Sequence, residues 1–277
     1  MSTVLFDNPG PVTRARHRAY TAVALVGLAA LLAFALWQLW TKEQITPDKW
    51  EAFTEPRIIQ ALFEGLLDTL AAAALAIMLA VVFGALFAAG RLSDRSWVRR
   101  PSWLVVEFFR AVPLLLLILV IFLGFGYLVG PYWALVIGLV LYNGSVLAEI
   151  FRAGVLAVPR GQSEAAYAIG MTKSQVLVQI LAPQALRSML PAIISQCIVT
   201  LKDTALGYVI GASGILKVGK QIYISPLYNN PFATAVVLAI IFIVINYSLS
   251  KLAVYLEHKM SQRGATTVEN VESTTGA

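Results

Sequence analysis

Six stretches of this chain stay predominantly apolar over membrane-crossing lengths, at about 19–40, 62–90, 103–126, 131–151, 187–211 and 231–256. None shows the period-two alternation of a half-buried or barrel strand. A helix needs about 20 apolar residues to cross a bilayer core. The pattern predicts an all-α membrane protein of about six transmembrane helices, with polar tails at 1–18 and 257–277 and a mixed-charge loop at 41–61. Trp50 and Phe53 in that loop suit a membrane interface. The first stretch follows Arg14, Arg16 and Arg18 and imitates a secretory signal. Its run from Ala19 to Trp40 is too long for a signal core, and it exits through Thr41, Lys42 and Glu43, so it reads as a retained span. Residues 1–18, and those from about Gln262 to Ala277, are expected to be flexible.

Composition narrows the class further. The chain is 58% hydrophobic and 13% charged, against about 25% charged for soluble chains. An ordinary soluble domain is excluded. Cys197 is the single cysteine, so an intrachain disulfide and a thiolate metal cluster are both ruled out. His17 and His258 lie near opposite ends, and no HExxH or Gly-x-Ser-x-Gly pattern occurs, so neither a catalytic residue nor a metal site is expected. The stretch from Gly214 to Gln221 imitates a phosphate-binding loop. Gln221 has no hydroxyl for magnesium where Ser or Thr is required.

The net charge of +6 follows a topological rule. With a cytoplasmic N-terminus and six spans, fourteen basic residues fall inside: Arg14, Arg16, Arg18; Arg91, Arg95, Arg99, Arg100; Arg152, Arg160, Lys173, Arg187; Lys251, Lys259, Arg263. Five fall outside, namely Lys42, Lys49, Arg57, Lys217 and Lys220. Positive loops stay cytoplasmic, so both termini are expected there. The basic residues form no single patch, and no nucleic-acid partner is expected.

One polar stretch stands out, 161–183, GQSEAAYAIGMTKSQVLVQILAP. Ser163 suits an N-cap and Glu164 the first turn of a helix. Ala165, Ala166 and Ala168 are strong helix formers that permit close approach. Gly170 suits a left-handed helix end. Thr172 and Gln175 spell a capping box for a second helix, expected to stop before Pro183. The stretch therefore predicts a helix, a sharp turn and a helix.

These residues, with Glu164, Ala165, Ala166, Gly170, Ile180 and Pro183 at their spacing, resemble the EAA loop of ABC importer permeases. Other segments are similar to the polar amino-acid uptake group, which covers histidine, glutamate, glutamine, arginine and opines. They are Gly65-Leu66 with Thr69-Leu70, Glu107 to Leu115 (EFFRAVPLL), Ala148 to Val155 (AEIFRAGV), and Lys202 to Leu206 (KDTAL). The likeness covers about 62–256. Ala111-Val112, Ala182 and Ala205 depart from the group's usual Gly-Thr, Leu and Ser. Within the group, the wording and the extra first span look most like glutamate-type permeases.

The resemblance implies a five-helix type I importer core at 62–256 plus an extra N-terminal span at 19–40, in a bacterial cytoplasmic membrane. It implies that the loop at 161–183 couples to two separate ATPase subunits, which bind ATP and magnesium; this chain is expected to bind no cofactor. The further partners implied are an external substrate-binding protein and a second permease subunit, a heterodimer being favoured over a homodimer, with membrane lipid around them. An ion-coupled secondary transporter is the alternative. It would call for repeat symmetry and Gly/Pro-interrupted helices in matching halves, which the sequence lacks.

Polar groups at membrane depth are costly and mark pathways or interhelical contacts. Gln196, Thr200, Asp203 and Gly207 share one helical stripe; Ser188, Ser195 and Lys202 share another. The first stripe is the expected lining of the translocation route, with Asn143 mid-span as a further lining residue. Lys202 is placed either to attract an anionic substrate or to pair between helices. Arg110 follows Glu107 by three residues and Arg152 follows Glu149 likewise, so each can pair on its own helix. Arg110, beside the kinking Pro113, is a candidate gate residue.

Overall fold

The computed structural model describes residues 10–275, which are helical apart from short connections. Helix α1 (Pro11–Thr41) starts with proline at a first-turn position, where a missing N–H leaves no bond unmade. The tail expected over 1–18 is thus helical from Pro11, and residues 1–9 lie outside the described residues. The apolar window of α1 has no buried residue, so this span stands apart from the core.

Two short 3-10 turns, Pro47–Lys49 and Glu51–Thr54, lead into α2 (Pro56–Arg91). A stripe of small residues four apart, Ala72, Ala76, Ala80, Gly84 and Ala88, is buried along α2. Small side chains let membrane helices approach backbone to backbone, and α2 packs here along α4 (Leu114–Leu156).

The apolar stretch expected at 103–126 is divided. Helix α3 (Ser96–Ala111) ends before Val112 and Pro113, both extended, and α4 starts at Leu114. Proline lacks the donor a helix needs and drives its predecessor out of helical geometry. Within α4, Gly130 takes φ 72° and ψ 169°, which reverses the chain. The reversal is visible in the packing, since a Cβ at Gly138 would meet Ile118 Cγ1 at 2.6 Å. The arm before Gly130 is about 24 Å long, and the arm after it runs back alongside. Among the described residues, five helical segments are long and apolar enough to cross a membrane, at Val12–Thr41, Pro56–Arg91, Leu114–Leu156, Lys173–Ile210 and Pro231–Lys251. The third is this hairpin, so the spans expected at 103–126 and 131–151 appear as its two arms.

After α5 (Arg160–Ala168) and α6 (Lys173–Gln175), a π-turn at Val176–Leu181 runs into α7 (Ala182–Asp203). A 3-10 segment, Thr204–Ile210, and α8 (Ile215–Tyr223) follow. The last helix is α9 (Pro231–Thr275). The flexible tail expected from Gln262 is helical through Thr275, and no proline interrupts it.

The core has two centres. One joins Ala72 and Ala76 of α2 to Ile118, Leu135 and Leu139 of the hairpin and to Ile210. The other gathers Ala52, Leu62, Ile215 and Ile222, where the loop after α1 covers α8. That loop is tied down by Lys49 donating to the Asn229 carbonyl (3.2 Å), by Asn230 Nδ2 donating to the Lys49 carbonyl (2.9 Å), and by the Tyr228 hydroxyl donating to Glu55.

Candidate functional site: an elbow, a polar cluster and a charge network

The expected helix, turn and helix is present, with two boundaries moved. α5 starts at Arg160 behind Pro159, so Ser163 is not the N-cap; its hydroxyl donates to the Arg160 carbonyl (2.8 Å) from inside the helix. The fixed φ of Pro159 sets the entry, and Gln162 N–H donates to its carbonyl (3.0 Å). Glu164 therefore sits one turn further in than expected.

The far end of α5 closes as the glycine predicts. Gly170 has φ 85°, its N–H donates to Tyr167 O (2.9 Å), and Met171 N–H reaches back to Ala166 O (3.2 Å). These two bonds form a Schellman closure. Thr172 and Gln175 form the capping box, with Thr172 N–H donating to Gln175 Oε1 at 2.8 Å. The second helix does not stop before Pro183. It widens into the π-turn at Val176–Leu181 and continues as α7 with Pro183 in its first turn. A π-turn absorbs the bond that a proline cannot make.

The elbow is held and presented at once. Ala166 and Val176 are buried where α5 packs on the π-turn, and Gln184 Nε2 donates to Gln162 Oε1 (3.2 Å). Glu164, Ala165, Gly170 and Pro183 are exposed and Ile180 is half-buried. Tyr167 and Ile169, 47% and 79% exposed, present an apolar tip. Lys173 forms an ion pair with Asp94, which joins the α2–α3 turn to the elbow.

Away from the elbow, α4 and α7 share a polar cluster. Gln196 Nε2 donates to Asn143 Oδ1 at 2.6 Å, and Asn143 Nδ2 lies 3.5 Å from Asp203 Oδ2. Thr200 Oγ1 donates to the Gln196 carbonyl (2.9 Å). Asn143 and Thr200 are fully buried, while Gln196 and Asp203 are half-buried. The structure thus brings together four of the expected lining residues. Lys202 turns the other way, exposed in one row with Ser188 and Ser195. It has no acidic partner among the described residues.

Arg110 belongs to a third group that sequence reasoning only half found. The pairs expected within one helix form, with Arg110 to Glu107 at 3.7 Å and Arg152 to Glu149 at 2.5 Å. Between them stands Arg91, the missed residue, whose side chain is 8% exposed. It reaches Glu107 at 3.3 Å and Glu149 at 2.8 Å. Arg110 also faces Glu149 at 3.8 Å. The signal was present as two Glu-x-x-Arg pairs and one arginine closing an apolar run, but the crossing of α2 over α3 and α4 was not legible.

Residues 80–262 match the family of binding-protein-dependent transport system inner membrane components. The chain belongs to that family. This permease is 39% identical over 224 residues to the glutamate transport system permease protein GluD of Corynebacterium glutamicum, covering 78% of this chain and 81% of that protein. It is 34% identical over 218 residues to BztC of Rhodobacter capsulatus, a glutamate/glutamine/aspartate/asparagine transport system permease protein, of which it spans 50%. Among solved structures, an amino acid ABC transporter crystallised with histidines aligns with a TM-score of 0.67 and 30% identity, over 73% of this chain and 95% of that one. The MetNI methionine transporter, at 22% identity and a TM-score of 0.61, shares the fold. Family membership sets aside the secondary-transporter alternative.

Proposed function

We propose that this permease imports acidic amino acids, glutamate foremost, across a bacterial cytoplasmic membrane. ATP hydrolysis occurs on two separate ATPase subunits that seat on the elbow, and an external binding protein delivers the substrate. The observation that carries the substrate reading is Lys202, an exposed cation within a membrane-spanning segment that has no acidic partner among the described residues. A cation at the bilayer centre costs about 2.5–3.5 kcal/mol or more. Its row with Ser188 and Ser195 therefore faces a wet route or another protein chain, and an anionic substrate complements it. The identity with GluD supports the same substrate class.

In this reading the route runs along the Lys202 row. Gln196 and Asp203 stand at its edge, Asn143 and Thr200 hold them from behind, and Arg110 lines the inner mouth. The open face of α7 is covered by a second permease, a related chain in a heterodimer. Glu164, Ala165, Gly170 and the apolar tip at Tyr167 and Ile169 meet the ATPase, while Ala166, Ile180 and Pro183 shape the elbow behind them.

The test is substrate-stimulated ATP hydrolysis by the reconstituted importer with its binding protein. Glutamate is expected to stimulate most, and Lys202→Gln to reduce glutamate uptake at least tenfold with the complex still assembled. Equal stimulation by glutamine or histidine would remove the acidic preference. Uptake that proceeds without ATP would remove the coupling at the elbow.

A further inference from the structure

We propose that the outer face of α3 binds anionic phospholipid headgroups in the leaflet beside the elbow. The inner face of this helix is committed to protein, with Val106 fully buried against α2 and α4. Gly90 lies so near that a Cβ there would stand 2.3 Å from Ser102 Oγ. The rest of the helix surface is bare, the Arg95, Arg99 and Trp103 side bordering the packed face and the Arg100 and Leu104 side lying opposite it. Trp97, Trp103, Leu104 and Phe108 are 53–71% exposed, and Arg95, Arg99 and Arg100 are exposed among them.

The spacing sorts these side chains into two adjacent rows. Arg95, Arg99 and Trp103 are four apart; Trp97, Arg100, Leu104 and Phe108 are three or four apart. Among the described residues no acid forms an ion pair with these cations, since Asp94 pairs with Lys173 and Glu107 with Arg91 and Arg110. Arg99 Nη1 donates to the carbonyls of Ser93 (3.1 Å) and Asp94 (3.3 Å), which fixes the stem of its guanidinium. The Arg95 guanidinium lies 6.0 Å from the Trp97 ring. Guanidinium forks match phosphate oxygens, and indoles favour the headgroup level. An acidic protein surface would satisfy the arginines but leave the apolar rows unanswered. A lipid supplies a phosphate for one and acyl chain for the other. The α3 helix is joined at both ends to spanning segments, which holds its face at that depth. The same corner carries the Asp94–Lys173 contact, so a lipid that steadies α3 also steadies the base of the elbow.

The test is native mass spectrometry of the assembled importer in equimolar phosphatidylglycerol and phosphatidylcholine. Wild type is expected to retain phosphatidylglycerol about a hundredfold over phosphatidylcholine. Each arginine to glutamine change at 95, 99 or 100 is expected to lower that ratio about fivefold, bringing the triple variant to parity. The triple lysine variant keeps most of the preference and reports on folding. If the triple glutamine variant does not purify, Arg100→Gln alone is read the same way, because Arg100 has no ion-pair partner among the described residues. Lys251→Gln, an exposed cation on α9, is the control and should change nothing. An unchanged ratio in the glutamine variants overturns the proposal, as does an equal loss in Lys251→Gln. A preference seen in the isolated permease but absent from the importer would show that protein covers α3, and would overturn it too.

Discussion

Two glycines of the elbow separate backbone strain from packing. Gly161 lies in the first turn of α5 and Gly170 just past its end, and a Cβ added to either meets nothing within 4 Å. They differ in backbone: Gly170 sits at φ 85°, while Gly161 lies within α5. Alanine at 161 removes unfolded-state freedom inside a helix, so Gly161→Ala is expected to stabilise α5 by about 0.5–1 kcal/mol. Alanine at 170 must hold a left-handed conformation and costs about 1–2 kcal/mol. A cost of that size is a factor of about 5–30 in an opening equilibrium. The measurement is amide hydrogen exchange over 163–171 in the purified permease, where local opening is read directly. Gly170→Ala should speed exchange by about that factor. Gly161→Ala should slow it a few-fold. The same direction of change in both variants would refute the reasoning, because the space around each is equally open. In the full importer, Gly170→Ala is further expected to lower substrate-stimulated ATP hydrolysis while leaving assembly intact.

Arg91→Gln should destabilise the permease more than Arg110→Gln, because Arg91 is nearly buried between two carboxylates while Arg110 is 36% exposed at 3.7–3.8 Å. Losing one partner of a buried pair costs about 3–5 kcal/mol. Glu149 keeps Arg152 and Glu107 is 41% exposed, so about 1–2 kcal/mol is expected after solvent screening. Thermal unfolding in detergent checks the order, and equal shifts would count against a special place for Arg91. Hydrogen bonding to the Glu55 carboxylate holds the Tyr228 phenol above its ordinary value. The clasp should therefore be intact below the usual tyrosine range and be lost as pH rises through the raised one. Absorbance titration is expected to lose one late-ionising tyrosine in Tyr228→Phe, while Tyr223, raised by its hydrogen bond to Tyr208, stays late.

Much of this permease was written locally. Continuous apolar runs of bilayer length admit little but helices, since backbone groups in lipid must bond within their own segment. Gly170 and the Thr172–Gln175 box act over three or four residues, so their geometry could be read before any fold was known. Proline positions were legible too, but their consequences were not uniform. Pro113, expected to kink one span, divides it instead, whereas Pro183 is absorbed by a π-turn because α5 packs on that stretch and holds it helical. Which polar stripe of α7 turns inward was decided by the hairpin reversing at Gly130, which brings Asn143 opposite Gln196 and leaves Lys202 outside. The place of Arg91 between Glu107 and Glu149 arose the same way, from three helices meeting at one end. Helical periodicity tells which residues share a face, but only the packing of one helix on another decides what that face meets.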